Sequence, residues 1–212
     1  MILKKEEYSK NYYEGILRRS SKNSQRNKNR LKVILSSKRE GTLLEIGCGK
    51  GEFLRLAEKY FQIEGIDISQ YAINSSKRFL NGRIRREDIE HNQLQDNTYN
   101  VIAAFNVLEH IKKPDLVINK IYNALRNGGL FIGSVPNNAT PIGKAYTAIT
   151  NIVDLTHCST YSPHRWDFLF RKTGFRKNSY FGELVFGGNL NIYLRNRYWK
   201  FMSLNMIFLC EK

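Results

Sequence analysis

Residues 43–54 read LLEIGCGKGEFL, a short and largely apolar run followed by three glycines at alternate positions. Glycine loses more conformational freedom on folding than any other residue, so this spacing indicates a turn that needs left-handed backbone or a close approach. A dinucleotide fingerprint would have a further glycine where Glu52 stands. A Walker loop would have Lys-Ser or Lys-Thr after the glycines, and none follows here. The turn therefore fits neither phosphate-binding motif.

Strand and helix patterns alternate after Thr42 at the spacing of β-α-β units. Strands are predicted at 42–46, 63–67, 83–85, 99–105, 130–136, 175–181 and 204–212, and helices at 52–60, 69–80, 114–126 and 162–175. This alternation with a late hairpin predicts an α/β fold. We expect a Rossmann-like, seven-stranded and mostly parallel sheet, with an antiparallel final strand and helices on both faces.

The composition is that of an ordinary globular chain, with 212 residues, 42% hydrophobic and 25% charged. Cys48, Cys158 and Cys210 are scattered and form no CxxC pair, which favours reduced thiols and a cytoplasmic location. No apolar run approaches the ~18 residues that span a bilayer. The first residues lack the apolar stretch of a secretory signal, so none is expected.

The net charge of +15 is concentrated near the beginning of the chain, where residues 18–39 carry nine basic side chains and no acid. Such a segment can bind nucleic acid or an anionic membrane. The interpretation that we favour is a solvated helix in a generally basic protein. Leu31, Ile34 and Leu35 are spaced as on one helix face, so part of the segment is predicted to dock as an amphipathic helix.

Acidic residues near the strand ends indicate what the glycine turn approaches. Asp67 ends the second strand, where an acid can accept hydrogen bonds from both hydroxyls of a ribose. Asp88 follows the third strand and can accept from an adenine amino group, with Ile68 and Ile89 flanking the ring. Glu45 would repel a pyrophosphate but can help to hold an ammonium group. These positions predict a nucleoside that carries an amino acid.

At these motifs the chain resembles the class I S-adenosylmethionine-dependent methyltransferases, and most of all the ubiquinone-biosynthesis-type small-molecule O-methyltransferases. The resemblance covers about residues 40–175. It rests on five motifs in order: LLEIGCGKGEFL (43–54), GIDIS (65–69), REDIE (86–90), YNVIAAFNVLEHI (99–111) and LRNGGLFIGSVPN (125–137). It implies S-adenosyl-L-methionine as the cofactor and S-adenosyl-L-homocysteine as the product.

The resemblance also implies which residues bind the cofactor. The glycines let the backbone pass the methionine moiety, Asp67 holds the ribose and Asp88 the adenine. Asn106 and Val107 stand where the family lines the cofactor near the sulfonium, and a tyrosine of the N-terminal segment, Tyr12 or Tyr13, closes over it. The residue type at position 48 of the motif varies across the family, so Cys48 is interpreted as a packing residue. The predicted set is Glu45, Gly47, Cys48, Gly49, Gly51, Asp67, Ile68, Asp88, Ile89, Asn106, Val107 and Tyr12.

The predicted domain organisation follows from the same motifs. Residues 1–40 are expected to form an N-terminal helical lid that includes the basic segment. Residues 41–212 are expected to form the methyltransferase domain. Within that domain, 137–161 and 183–201 are expected to lie on the acceptor side.

The predicted catalytic residues are His157, His110 and Tyr161. Methyl transfer from a sulfonium is an in-line displacement, and a hydroxyl acceptor also needs a general base. Relatives that methylate small molecules often carry Asp-x-Thr-His, which residues 154–157 match. Metal-dependent relatives have the motif E-x-x-E-H at residues 106–110, where Asn106 of this chain replaces the first glutamate. The loss of that carboxylate weakens a site for a hard cation. No metal is therefore predicted.

Two classes of acceptor are open. The chain has neither the [DN]PP[YF] motif of adenine methyltransferases nor a Pro-Cys nucleophile. This favours a hydroxyl or amine of a small molecule. The alternative is RNA or protein, because the net charge and the segment RNRYWKF (195–201) suit stacking and gripping of RNA. A non-catalytic binding module is a third interpretation.

Overall fold

A single sheet organises the part of the chain that the computed structural model describes, residues 23–139, 143–145, 148, 156–186, 190–194 and 203–212. Its strands are β1 (Thr42–Ile46), β2 (Gln62–Asp67), β3 (Arg83–Arg86), β4 (Tyr99–Phe105), β5 (Leu125–Pro136), β6 (Lys177–Phe186), β7 (Leu190–Leu194) and β8 (Asn205–Glu211). Their order across the sheet is β3-β2-β1-β4-β5-β8-β6-β7.

Among the described residues, one helix precedes β1 and others lie in the connections between strands. They are α1 (Asn23–Leu35), α2 (Leu54–Ala57), α3 (Gln70–Ser76), α4 (Pro114–Ala124) and α5 (Pro163–Thr173), with a 3₁₀ turn at Leu108–His110. No helix in these ranges is long and apolar enough to cross a membrane.

The first five strands are parallel, so their carboxyl ends lie along one edge of the sheet. The chain runs outward from β1 to β3 and then returns to place β4 on the other side of β1. At the end of β1, Ile46 pairs with Ile66 of β2 and Ala104 of β4. The loops after these three strands therefore begin side by side, at the point where strand order reverses and ligands bind in open α/β sheets.

The other half of the sheet is antiparallel. The final strand β8 lies between β5 and β6 and is antiparallel to both, which confirms the expected antiparallel final strand. One strand beyond the expected seven is present, since β7 pairs with β6 at the sheet edge. Its five residues form a short run that periodicity alone does not identify as a strand.

Helices cover both faces of the sheet, as expected, and each face has its own apolar core. On one face Ile118 of α4 and Trp166 of α5 are buried against Phe131 and Phe208. On the other, Ile34 of α1 packs with side chains of α2 and α3. The described part of the basic N-terminal segment therefore docks through its apolar face as predicted, burying Leu31 and Ile34.

Some predicted helices are shorter in the structure. The helix predicted at 52–60 is the single turn of α2, and that predicted at 69–80 is α3, which ends at Ser76. Helix α4 ends at Ala124 because β5 already begins at Leu125, where a register irregularity lies opposite Tyr99 and Val101. Side chains cap the starts of two helices, since the Ser69 and Ser162 hydroxyls each accept a backbone N–H of the following helix.

Candidate active site

The glycine turn after β1 has left-handed backbone at all three glycines, with φ values of 69° at Gly47, 51° at Gly49 and 78° at Gly51. A side chain is also excluded by contact, because a Cβ atom on Gly47 would lie 2.5 Å from Cγ2 of Val107. A Cβ atom on Gly51 would lie 2.5 Å from Cδ1 of Leu80. The turn therefore needs glycine for its conformation and to let the end of β4 approach.

Asp67 joins the end of β2 to this turn. Its carboxylate is buried, with Oδ2 accepting from the Gly49 N–H at 2.8 Å and Oδ1 from the Ser69 N–H at 2.8 Å. A carboxylate is also the type of acceptor that the hydroxyls of a ribose need. Asp67 thus shapes both neighbouring loops and stands where the predicted ribose would lie.

Glu45 is a buried carboxyl group within β1. Burial raises its pKa well above the usual value, and Asp67 and Glu52 raise it further, whereas the charge of Arg30 opposes the shift. Among the described residues, its Oε2 atom has no hydrogen-bond partner. An ammonium group would supply that hydrogen bond and stabilise the carboxylate. Glu45 therefore suits the amino group of a methionine moiety.

Arg30 of α1 is a further candidate site residue, which its place in a basic segment did not single out. Its guanidinium is buried, with the central carbon 4.1 Å from the centre of the Phe105 ring at the end of β4. Nη2 donates to Oγ of Ser134 in β5 at 3.2 Å. Arg30 lies one helical turn before Ile34, so its place on the docking face is the signal that could have separated it from the other basic residues.

Asp88 stands in a turn after β3. Its Oδ1 accepts from the Glu90 N–H at 3.0 Å, and its Oδ2 lies 3.0 Å from Nδ1 of His91, an exposed side chain. Ile68 is half-buried and can still flank an adenine ring. Ile89 is buried in the apolar core, which favours a packing role for it.

The chain after β4 meets the glycine turn, as the predicted cofactor site requires. Asn106 has a φ of 56°, its N–H donates to the Ser134 carbonyl at 2.9 Å, and its Oδ1 accepts from the Ser134 hydroxyl at 2.9 Å. Val107 packs against Gly47. Cys48 is buried in the core, and burial raises the pKa of its thiol, in agreement with its interpretation as packing.

An acid and two imidazoles converge beyond Val107. The side-chain ligand atoms of Glu109, His110 and His157 all lie within 4.8 Å of one another. The two imidazole rings are 4.7 Å apart between centroids at an interplanar angle of 62°, and Nδ1 of His110 lies 2.6 Å from Oγ1 of Thr156. The Glu109 carbonyl accepts from the next two N–H groups after His157, each at 2.9 Å. These contacts hold His157 beside His110.

This cluster can take up a proton or hold a divalent cation. One carboxylate and two imidazoles are ligands that zinc and other transition metals accept. The E-x-x-E-H motif covers only residues 106–110, whereas the third possible ligand, His157, comes from a segment far along the chain. The residues present therefore fit a cation better than the motif alone predicts.

The contacts of the Tyr161 ring are with residues outside the cluster of Glu109, His110 and His157. Its ring packs against Trp166 with centroids 5.1 Å apart, and the Arg165 guanidinium lies 5.8 Å from the ring centre. A catalytic role for Tyr161 stays a prediction. Tyr12, Tyr13, Asp154 and the segment 195–201 lie outside the described residues, and so does most of the predicted lid.

The comparisons with known proteins agree with this geometry. A family model described as a methyltransferase domain matches residues 17–180. The chain therefore belongs to this methyltransferase family, a class of S-adenosylmethionine-dependent enzymes. The fold is that of a solved S-adenosylmethionine-dependent methyltransferase of Thermotoga maritima, described as a possible histamine N-methyltransferase. The TM-score is 0.75 at 16% identity, over 94% of this chain and 98% of that one.

Two curated relatives are similar in sequence. A probable S-adenosylmethionine-dependent methyltransferase of Mycolicibacterium smegmatis is 28% identical over 127 residues, 54% of this chain and 48% of the relative. A ubiquinone biosynthesis O-methyltransferase of Hydrogenovibrio crunogenus is 24% identical over 149 residues, 63% of this chain and 61% of the relative. The chain thus matches about half to three fifths of the length of these relatives.

Replacing Asp67 with alanine is expected to weaken binding of S-adenosylhomocysteine by about 1–3 kcal/mol, because two ribose hydroxyls lose their acceptor. Calorimetric titration measures the change. Asp96→Ala, at an exposed aspartate, is the matched control and should bind as the unchanged protein does. Equal affinities for the two variants would remove Asp67 from the site, and tight binding of NAD would contradict the cofactor assignment.

Proposed function

We propose that this chain transfers the methyl group of S-adenosylmethionine to a hydroxyl or amine of a small molecule, with His157 as the general base. The observation that carries the proposal is the convergence of Glu109, His110 and His157 just beyond the strand end that meets the glycine turn. A hydroxyl becomes an adequate nucleophile when a positioned base takes its proton. An amine acceptor also releases a proton, which the same cluster can accept.

The chain's own residues would hold the cofactor by matching its charges. The sulfonium supplies an electrophilic methyl group. Glu45 would accept from the ammonium of the methionine moiety, and the guanidinium of Arg30 is the complementary cation for its carboxylate. Asp67 would accept from the ribose and Asp88 from the adenine. Charges fixed in advance in this way align donor and acceptor, which is where most of the catalysis of an in-line displacement lies.

The similarity to a ubiquinone biosynthesis O-methyltransferase supports a hydroxyl group as the acceptor. The competing function is methylation of RNA or protein. It is favoured by the net charge of +15 and by exposed cations of α1, such as Lys28 and Lys32. The two functions differ in what becomes labelled and in their dependence on salt.

The test is incubation of the purified protein with S-adenosylmethionine labelled on its methyl group and separate fractions of metabolites, tRNA and protein from an extract. Label is expected in the metabolite fraction, and less of it with the Asp67→Ala variant when S-adenosylmethionine is below saturation. Retention on heparin should be weak at physiological salt. Label in the tRNA fraction, with retention that falls steeply as salt rises, would establish the competing function instead.

A further inference from the structure

Lys120 of α4 makes contacts that the roles above do not explain. Its Nζ atom donates to the backbone carbonyls of Ile89, Glu90 and Asn92, each at 2.9 Å. An ammonium group has three N–H donors and no acceptor, so these carbonyls use its full capacity. Lys120 thus attaches the turn that carries Asp88 to helix α4.

The turn is a single helix-like loop, in which the Asp88 carbonyl accepts from the N–H groups of His91 at 3.1 Å and Asn92 at 2.9 Å. Carbonyls at the end of such a turn point the same way and carry partial negative charge, which a cation stabilises. Asp88 also accepts from the Glu90 N–H through its own side chain. The direction of its carboxylate therefore depends on the shape of the turn.

A second contact joins the turn to the segment that carries His110. Oε1 of Glu90 accepts from the Lys112 N–H at 2.9 Å, two residues after His110. On the core side the turn is anchored by buried Ile89. These attachments leave the Asp88 side chain 17% exposed, at the edge where the adenine is expected.

We infer that Lys120 is a positioning residue for adenine recognition, holding turn 88–92 so that Asp88 faces the amino group of the base. The inference rests on the proposed use of S-adenosylmethionine. Its consequence is selectivity for adenine over hypoxanthine, because hypoxanthine has a carbonyl in place of the amino group and would face the carboxylate with a second acceptor. Lys120 acts on this selectivity through Asp88 and has no contact of its own with the base.

The experiment compares S-adenosylhomocysteine with S-inosylhomocysteine by calorimetric titration. Lys120→Met removes the donors and keeps the aliphatic length of the side chain. We expect it to bind S-adenosylhomocysteine about tenfold more weakly, the range for lost charge-assisted hydrogen bonds. Binding of S-inosylhomocysteine should hardly change, so that selectivity falls. Asp88→Ala should lose the same selectivity with Lys120 in place, and Lys172→Met, at an exposed lysine of α5, should keep it.

Lys120→Arg keeps the charge but places its donors in a planar fork. Its affinity for S-adenosylhomocysteine is expected to lie between those of the unchanged protein and Lys120→Met, and it covers the case in which Lys120→Met does not fold. Selectivity equal to that of the unchanged protein would overturn the inference. This holds also if both affinities fall by the same factor, which would indicate a merely structural lysine. If the unchanged protein binds both compounds equally, Asp88 does not recognise the amino group and the inference is overturned. An unchanged protein that binds neither would instead refute the proposed cofactor.

Discussion

Replacing His157 with alanine is expected to lower turnover by roughly 10²–10⁴-fold, the usual contribution of a positioned general base. Affinity for S-adenosylhomocysteine should stay within a factor of a few, because the predicted cofactor residues lie on other loops. Single-turnover transfer to the acceptor, together with calorimetric titration, measures both quantities. The matched control is His164→Ala, at an exposed histidine near the start of α5, which should retain full turnover.

The same variant separates the two chemical roles open to the cluster of Glu109, His110 and His157. A base acting alone predicts that a chelator leaves the unchanged protein active and that the purified protein contains no stoichiometric metal. A cation held by the three side chains predicts bound metal that His157→Ala loses. Normal turnover of His157→Ala on the true acceptor would remove this residue from the chemistry and leave His110 and Tyr161 to be tested.

Replacing Glu183 with alanine is expected to destabilise the protein by about 3–5 kcal/mol, the cost of leaving a buried cation without its counter-charge. Glu183 of β6 is fully buried, and its Oε2 lies 3.1 Å from Nε of Arg26 and 3.8 Å from Nη2 of Arg30. Asn205 of β8 donates to the same oxygen at 3.4 Å. Urea unfolding measures the loss.

Glu183→Gln keeps an acceptor in the same place and should lose less stability, which covers the case in which the alanine variant does not fold. The matched control is Glu211→Ala, because Glu211 pairs with Lys177 at 3.2 Å on the exposed surface, where such pairs contribute about 0–1 kcal/mol. A loss at Glu183 no greater than at Glu211 would mean that the buried pair does not stabilise the docking of α1.

The first four strands could be predicted closely because their apolar residues are local in sequence, whereas β5 begins five residues before and β6 ends five residues after the predicted bounds. The prediction for β4 at 99–105 agrees with the structure at both ends, and the loops after β1, β2 and β3 follow from strand ends and turn residues. The shared edge of parallel strands then brings Gly49 and Asp67 together without further information. The residues of this part of the site lie in short segments, and each segment can be interpreted by itself.

What the sequence did not reveal depends on pairing between distant segments. Arg30 looks like any other cation of a basic helix until Ser134 and Phe105 are placed beneath it. Lys120 stands on a helix whose apolar face gives no hint of the carbonyls that its ammonium group meets. The edge strand β7 is defined by its pairing with β6, and its five residues alone do not predict a strand.

The docking of α1 also constrains the order in which the chain folds. Arg30 donates to Ser134, a residue 104 positions further along, and its counter-charge Glu183 follows later still. Contacts between such distant residues form slowly, because loop closure precedes any gain from them. On a ribosome, α1 emerges long before β5 and β6 have been made. The polar contacts of Arg30, which lies in the first of the described helices to be synthesised, therefore form only after β5 and β6 have been made, whereas the apolar side of this helix can already pack against α2 and α3.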